Sequence, residues 1–556
     1  MPLSIVPDSR VLDLFAKQQQ MENDRSTWDS HFRQIAERIL PRQDYFQRVS
    51  SMEGEKRTEK IFDSTAPLAL DRAASAIDSL ITPSTQRYHS IEPEDERLSE
   101  DRDSKLFCEY LNRLLFRMRY RPSTNFAAQA HECYVSLMAF GTLGMFTDDI
   151  AGIGTRYKSI ALPELYISEN HAGIVDYVHR KFQLSARAAL QKFGGKLPET
   201  ITKAVEKEPF RKFDFLHCVK PNDDHKHAAR DYRGMAWSSY YASFEGKIML
   251  AEGGYRTMPY AVSRHVTAPR EVYGRSPAMM VLPDIKMINE MEKTIIRAAH
   301  KIVDPPLLLY GDGILSSFST RPNALNYGGV DERGGQLVHP LKTGANLPVA
   351  FEFGEQKRKV INDAFYVTLF QILVQNPQMT ATEALIRAQE KGQLLAPTVG
   401  RQNTEFLGPV IVREVDIYSM AGIIPPMPLA MRRSGGGVRA VYTSPLSQLA
   451  RAEDGVAIMR TLDAIKPMAE LDPTILDTFD GDEIARELAD INGMPTRTIR
   501  PIEAVQAIRD KRTQQQDTQH MADVAKQGAG ALAQTAKAAG LAAQIQPQAL
   551  PQGSGA

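Results

Sequence analysis

Residues 273–310 carry the clearest helical pattern in the chain, and the sequence marks both of its ends. Ser276 supplies a hydroxyl that can accept a hydrogen bond from a free backbone N–H, and Pro277 suits the first helical position. The run Asp304-Pro305-Pro306 removes two backbone donors, so the helix ends by about Asp304. Between these ends, apolar residues recur at steps of three and four, which predicts an amphipathic helix. They are Ile285, Ile288, Met291, Ile295, Ala299 and Ile302.

The rest of the chain divides into helical and extended patterns. Before residue 145 the periodicity predicts helices at 8–40, Thr65–Leu80, Ser104–Tyr120 and Phe126–Phe140. Two later runs, 145–181 and 213–265, are rich in Tyr, Val, Ile and Thr and are divided by Gly, Asn and Pro, which predicts β-structure. One helix near Ser185–Phe193 interrupts them. A helical block followed by a β-rich block indicates an α+β fold, here predominantly helical.

Patterns beyond the first long helix predict further helices. Glu355–Gln375 is expected to be helical and to end at Asn376-Pro377. A loop over 425–437 precedes helices predicted at 444–468 and 481–511. Pro283, within the first long helix, is compatible with a kink there or with a later start of the regular helix.

Four sequence blocks resemble the portal, or head-to-tail connecting, proteins of short-tailed double-stranded DNA bacteriophages. In chain order they are IFDSTAPLALDRAASAIDSLITPS from Ile61, EVYGRSPAMMVLPDIKMIN from Glu271, MTATEALIRAQE from Met379 and PTVGRQNTEFLGPVIVRE from Pro397. The run DPPLLL from Asp304 matches as well. Because the blocks occur in the expected order, the resemblance is more specific than any one of them.

The resemblance implies a portal-type subunit with wing, stem, clip and helical crown that assembles into a ring. The expected divisions are a wing over 1–272 that is β-rich from about 145, a first stem helix over 273–304, a clip over 305–350, a second stem helix over 351–376, a tunnel loop and returning wing helix over 377–440, a helical crown over 441–512, and a Gln-, Ala- and Gly-rich tail over 513–556 that is mobile or ordered only in the ring. The tunnel-loop candidates are Asn376, Pro377, Gln378 and Met379.

The charged positions of the two stem helices are the candidate DNA contacts. If these helices line a channel, their cations can touch phosphates without reading bases, while interspersed carboxylates keep the duplex from binding too tightly. The alternative is an outward, salt-bridged surface. The candidates are Lys286, Lys293, Arg297, Lys301, Lys357, Arg358 and Lys359.

The composition sets limits on the chain. Lys plus Arg and Asp plus Glu are 67 each, so net charge gives no global signal for nucleic acid. Cys108, Cys133 and Cys218 are widely spaced and predict reduced thiols with no disulfide framework. Neither a signal peptide nor a membrane-spanning run is expected, which places the chain in the cytosol or in a particle assembled there.

Catalytic and metal-binding motifs are weak. Gly194-Gly195-Lys196 lacks the rest of a phosphate loop, so the chain is expected not to be the packaging ATPase. Asp148-Asp149 is a carboxylate pair whose members lie on opposite strand faces. The cluster Asp223, Asp224, His225 and His227 is compatible with a solvated loop or a metal site, and Gly435-Gly436-Gly437 with a hinge or a phosphate contact. We therefore expect no catalytic residues, metal or cofactor.

The function that follows from the resemblance is a ring, usually of twelve copies, at one capsid vertex, through which double-stranded DNA is packaged, retained and ejected. Expected partners are other copies of the chain, double-stranded DNA without sequence specificity, the terminase motor, capsid and scaffolding proteins, and tail adaptor proteins, with no membrane. The expected location is the virion at the head-tail junction, after assembly in the host bacterial cytoplasm. Alternatives are a head-tail adaptor or tail protein that binds a portal, and a DNA-acting hydrolase.

Overall fold

The computed structural model describes most of the chain. The described residues are 9–41, 59–99, 101–150, 154–226, 229, 231–309, 319, 321, 323–325, 327, 329–331, 333–341, 347–371, 395–442, 455–467, 478–491, 494, 496–519, 521 and 526.

Helices account for much of this part of the chain. The longer ones are α1 (Ser9–Arg38), α2 (Thr65–Ile81), α3 (Arg102–Arg119), α4 (Phe126–Phe140), α5 (Ala186–Phe193), α6 (Glu199–Lys207), α7 (Pro277–Val303), α8 (Leu347–Ala364), α9 (Val367–Gln371), α10 (395–402), α11 (Gly408–Met420), α12 (Leu429–Arg433), α13 (455–467), α14 (Gly481–Ile491) and α15 (502–519). A π-helical turn, Asn403–Leu407, joins α10 to α11. No described helix is both long enough and apolar enough to cross a bilayer.

Within the described residues, the strands form four antiparallel sheets. They are β1 (His89–Pro93), β2 (Thr142–Ile150), β3 (Gly154–Ser159), β4 (Leu165–Glu169), β5 (Val175–Ser185), β6 (Lys212–Pro221), β7 (Trp237–Ser243), β8 (Ile248–Tyr255), β9 (Tyr260–Arg264), β10 (Leu307–Leu309), β11 (Val338–Pro340) and β12 (Val438–Tyr442). The largest sheet has the order β4-β5-β6-β7-β8, a second has the order β3-β2-β9, and β1 pairs with β12 as β10 does with β11. The predicted α+β, predominantly helical class is confirmed.

The chain forms two compact units. The first contains Met1–Glu94 and Phe107–Arg451, and the second contains Asp95–Leu106 and Ala452–Ala556. In the first unit one large apolar core joins α1, α2, α4, α7, α8 and the two larger sheets. Helix α4 lies at its centre because most of its side chains are buried on every face, as expected for a helix without a polar side.

In the second unit the helices contact one another through small and charged residues. Gly455 at the start of α13 lies beside Ile491 of α14. Arg509 of α15 donates two hydrogen bonds to Asp482, at 2.6 and 2.7 Å. Helix α15 extends to residue 519, so the first residues of the predicted tail continue a helix. Apart from residues 521 and 526, the rest of that tail lies outside the described residues.

A buried ion pair connects α3 to α11. Arg119 binds Glu414 through Nη2 at 2.6 Å and Nε at 2.8 Å, and both side chains are fully buried. The hydroxyl of Tyr157 donates to the same carboxylate, and Arg119 donates to the hydroxyl of Tyr88 at 2.7 Å. The carboxylate partner of Arg119 lies almost 300 residues away in the sequence, so the helical pattern of α3 alone does not reveal this pair.

Helix α7 begins where the first unit is packed most closely. The hydroxyl of Ser276 accepts a hydrogen bond from the Met279 amide at 3.1 Å and donates to the Ala139 carbonyl at 2.8 Å. Just before it, the Gly274 backbone packs on Gly141, which has φ +78°. A Cβ added at Gly274 would lie 2.1 Å from the Gly141 oxygen, so no side chain fits there. The helix predicted from 277 to about 304 is confirmed, and it continues through Pro283.

Several predicted boundaries need correction. The second long helix, expected over 351–376, begins at Leu347, with Pro348 in its first turn where the missing N–H costs little. It ends at Ala364 because Tyr366 has φ +60°, a left-handed conformation that interrupts the helix before α9. Within the predicted loop 425–437 lies α12, and the strand β12 that follows it pairs with β1. Helix α6 lies in a segment for which no helix is predicted.

The Gly141–Gly274 contact gives a direct test of how α7 is attached to the body. We expect Gly274→Ala to lower the thermal midpoint of unfolding, because the new methyl group forces two backbones apart at a cost of about 1–3 kcal/mol or more. The matched control is Gly400→Ala, on a helix and with open space around its Cα. This control should be neutral or slightly stabilising. Equal midpoints for the two variants would show that the close contact contributes nothing.

Candidate nucleic-acid interface

The two helices that carry the candidate cations pack against each other through a charged cluster centred on Arg358. Its Nε lies 2.9 Å from Asp63 and its Nη1 lies 2.6 Å from Glu355, while Nη2 contacts Glu292. Burial lowers the pKa of Arg358, but hydrogen bonds to Asp63 and Glu355 outweigh it and hold that pKa above its usual value. One guanidinium of α8 thus binds α7 and the segment before α2.

Asn289 positions the carboxylate of that earlier segment. Its Oδ1 accepts hydrogen bonds from the backbone amides of Phe62 at 2.8 Å and Asp63 at 3.1 Å. Its Nδ2 donates to the Ile285 carbonyl of the same helix at 2.8 Å, so the buried amide is satisfied on both sides. Asn289 interrupts the apolar stripe of α7, and a polar residue at such a position is the signal from which this contact could have been predicted.

Four of the seven candidate cations contact their own chain. Lys357 lies 2.8 Å from Asp284, and Lys286 donates to the Gln34 side chain at 2.5 Å. Lys293 lies 3.5 Å from Glu290 and 5.6 Å from the ring centroid of Phe62. Together with Arg358, these side chains hold the helices in place, so they are less available to a phosphate.

The other three candidates are free of such contacts in the part of the chain that the structure describes. Arg297, Lys301 and Lys359 are exposed, and no described carboxylate forms an ion pair with them. They share the surface with the exposed Glu290, and a mixed lining of this kind is what the sequence predicts for the channel. The tunnel-loop candidates Asn376, Pro377, Gln378 and Met379 lie outside the described residues.

The two carboxylates of the Asp148-Asp149 pair do not act on one face of the sheet. Asp148 and Asp149 face opposite sides of β2, opposite Arg156 and Thr155 of β3. Burial raises the pKa of Asp148, while Lys192 opposes the shift. Lys192, Tyr241 and Tyr255 lie close enough to Asp148 to interact with it electrostatically.

The histidine cluster does not lie on a strand. Strand β6 ends at Pro221, so Asp223, Asp224 and His225 lie in the turn that follows, where Asp223 contacts Lys220 at 2.9 Å. His227 lies outside the described residues. Nowhere in the described ranges do three or more His, Cys, Asp or Glu side chains come together in a way that could hold a metal ion.

The glycine run closes a helix. Gly435 and Gly436 both have positive φ, and the Gly436 amide donates to the Met431 carbonyl at 2.8 Å, which caps α12. The Gly437 carbonyl accepts from the Glu94 amide at 3.1 Å. The Gly436 amide, a candidate for phosphate binding, therefore donates its hydrogen bond within the fold. The Glu94 carboxylate, which would repel a phosphate, lies beside Gly437.

Comparison with known proteins places this architecture in a family. The family model described as bacteriophage head to tail connecting protein matches residues 13–499. The chain belongs to this family. It is 28% identical over 522 residues to a probable portal protein of Bordetella phage BPP-1, covering 93% of both chains. It is 26% identical over 535 residues to a portal protein of Salmonella phage epsilon15, covering 93% of this chain and 94% of that one.

A solved structure of the neck of an empty GTA particle is also similar, with a TM-score of 0.33 and 11% identity over 73% of this chain and 90% of that chain. At that score the likeness supports no structural conclusion. The family match and the two relatives confirm the predicted family and its portal function, which is structural.

The Arg358 cluster makes a prediction about stability. We expect Arg358→Gln to lower the thermal midpoint of unfolding, because it leaves Asp63 and Glu292 partly buried without their cation, at a cost of about 2–4 kcal/mol. The matched control is Lys359→Gln on the adjacent, exposed position, which should stay within about 0.5 kcal/mol of the parent. If both variants unfold at the parental temperature, the cluster does not hold α8 to α7.

Proposed function

We propose that copies of this chain close into a ring around double-stranded DNA, with α7 and α8 surrounding the channel. The family and the two portal relatives support a ring at the head-tail junction. The proposal rests on a difference in exposure and charge pairing between the two sides of the α7–α8 pair. One side is neutralised and packed within the chain, and the other keeps apolar side chains and cations uncovered.

The outer side of α8 has an apolar stripe. Val349, Phe353 and Val360 recur at steps of four and seven, and they are between 43% and 60% exposed. About 100° further round the helix, Gly354 and Ile361 are buried. Because a regular apolar stripe on a helix packs against another surface, we infer that a neighbouring copy covers it.

Helix α7 offers the complementary surface. Met280 and Met287, seven residues apart, are 78% and 45% exposed. If α8 of one copy packs on α7 of the next, the contact is heterologous, and it closes into a ring when the rotation per copy divides a full turn. Both stripes are then covered in every copy.

The uncovered cations would contact the DNA. Arg297, Lys301 and Lys359 are free to contact phosphates, and such contacts position a duplex without reading its sequence. The exposed Glu290, Glu352 and Glu355 lie among them and would limit how tightly the DNA is held. Each copy supplies the same few charges, so a ring would present repeated cationic belts in a mixed wall.

Further features of the proposal follow from the family. The ring would be assembled in the host bacterial cytoplasm, would bind capsid and scaffolding proteins, and would serve the terminase motor during packaging and tail adaptor proteins afterwards. The chain itself would neither hydrolyse ATP nor cleave DNA. This proposal is supported by the incomplete phosphate loop at Gly194-Gly195-Lys196.

Ring formation can be tested at the apolar stripe. We expect the parent to form closed rings of about a dozen 62.0 kDa copies in mass photometry. The double variant Phe353→Ser, Val360→Ser should shift the mass towards smaller species, because the parts of these side chains that are still exposed contribute about 1 kcal/mol each when a neighbouring copy covers them. The matched control is Ile174→Ser, Phe210→Ser, two exposed positions in the β-rich part. Rings of unchanged mass in the first variant would place the contact elsewhere.

Contact with DNA can be tested separately. The triple variant Arg297→Gln, Lys301→Gln, Lys359→Gln should form normal rings but lose DNA retention more readily as salt rises, because fewer phosphates are neutralised. No sequence preference should change. The control is Lys203→Gln, Arg211→Gln, which removes exposed cations from the β-rich part. If the triple variant packages and retains DNA like the parent across a range of salt, these cations form a solvent-facing surface.

A further inference from the structure

The resembling block that begins at Ile61 ends at a polar cleft that the portal function does not explain. Near the start of this block, Asp63 contributes to the Arg358 cluster, and from Thr65 onwards the block forms α2 and the turn after it. The cleft lies between the last turns of α2 and the beginning of α4, and its volume is about 470 Å³. A space of this size admits a side chain.

The cleft is lined by oxygen atoms. Six of its lining residues carry a hydroxyl or a carboxylate: Ser75, Asp78, Ser79, Thr82, Ser84 and Thr85. Among the described lining residues there is no lysine or arginine, and Asp78 is the only carboxylate. A carboxylate only accepts hydrogen bonds, and a hydroxyl oxygen can accept while its O–H donates elsewhere, so the lining can satisfy a ligand with several N–H donors.

Asp78 keeps part of its hydrogen-bonding capacity. Its Oδ1 accepts from the Thr82 hydroxyl at 2.6 Å. Its Oδ2 lies 3.6 Å from Nδ1 of His131, within ion-pair distance when that imidazole is protonated. Burial raises the pKa of Asp78, against the opposing effects of the Thr82 hydrogen bond and of His131. Water therefore solvates this carboxylate incompletely, although the side chain is 27% exposed.

The end of α2 adds to the negative potential. The last carbonyls of a helix carry a partial negative charge, which stabilises a cation within about one turn. Two of the carbonyls near this end already have donors, the Ala76 carbonyl from the Ser79 hydroxyl and the Asp78 carbonyl from the Thr82 amide, both at 2.8 Å, so the contribution comes from the helix dipole as a whole. The cleft therefore combines a carboxylate, hydroxyl oxygens and a helix C-terminus.

We propose that this cleft binds an ammonium or guanidinium group, supplied by a lysine or arginine side chain of a protein that docks on this face of the subunit. A metal ion fits less well, since no cluster of three metal-binding side chains occurs in the described ranges. A guanidinium carries five N–H donors and an ammonium three, which the oxygen-lined cleft can accept. The proposal concerns the folded subunit and does not depend on ring closure.

Saturation-transfer NMR on the full chain tests the chemistry, because the method tolerates large assemblies. The probes are Nα-acetylarginine amide and the neutral Nα-acetylnorleucine amide, which is similar in length. We expect the arginine probe to bind in the millimolar range and the norleucine probe to bind at least about fivefold more weakly. Asp78→Asn, which keeps an acceptor for Thr82, should weaken the arginine probe by roughly five- to tenfold.

The matched control is Asp71→Asn, an exposed carboxylate two turns earlier on α2 that does not line the cleft. It should leave binding unchanged. A second variant, Ser79→Arg, places a tethered guanidinium in the cleft and should abolish probe binding even if Asp78→Asn folds poorly. Equal binding of the two probes, or arginine binding that survives both Asp78→Asn and Ser79→Arg, would overturn the proposal. If spermidine binds more than tenfold more tightly than the arginine probe, the ligand of the cleft is a free polyamine, and the proposal of a docked protein side chain is overturned.

Discussion

The contact between Gly141 and Gly274 fixes the position at which α7 begins. Two backbones approach so closely there that neither position admits a Cβ, and Ser276 follows at once as the cap of α7. The start of α7 is therefore joined to the junction between α4 and β2, at the centre of the main core. Helix α8 and the segment before α2 are in turn bound to α7, through Arg358 and Asn289, so their positions depend on the same contact.

The cations of the α7–α8 pair fall into two groups, those with a carboxylate partner in the same chain and those without one among the described residues. Lys357 and Arg358 form ion pairs with carboxylates elsewhere in the first unit and contribute to the packing of the two helices. Arg297, Lys301 and Lys359 face away and have no such partner among the described residues. Under the proposed function both groups would be needed: paired charges would keep the helices rigid, and unpaired ones would provide weak contacts to a moving polyanion. The zero net charge of the chain conceals this division.

The sequence predicts local structure well here where local chemistry determines it. Pro277 and the run at Asp304 mark the ends of α7, and the α4 boundaries agree with the prediction. The left-handed Tyr366 that ends α8 is not predictable in this way, because a non-glycine residue adopts that conformation only when the surrounding packing demands it. The partners of Arg358 are equally hidden, since Asp63 is almost 300 residues distant. The seven candidate cations therefore look alike in the sequence and differ in the fold.

Cryo-electron microscopy of the purified, assembled protein tests the central claim most directly. We expect end-on views of a closed ring, and a reconstruction in which α7 and α8 surround the central channel. In that map Phe353 and Val360 lie at the contact between neighbouring copies, and Lys301 and Lys359 face the lumen. A closed ring that carries these two helices on its outer rim, or a protein that remains monomeric at high concentration, would contradict the claim.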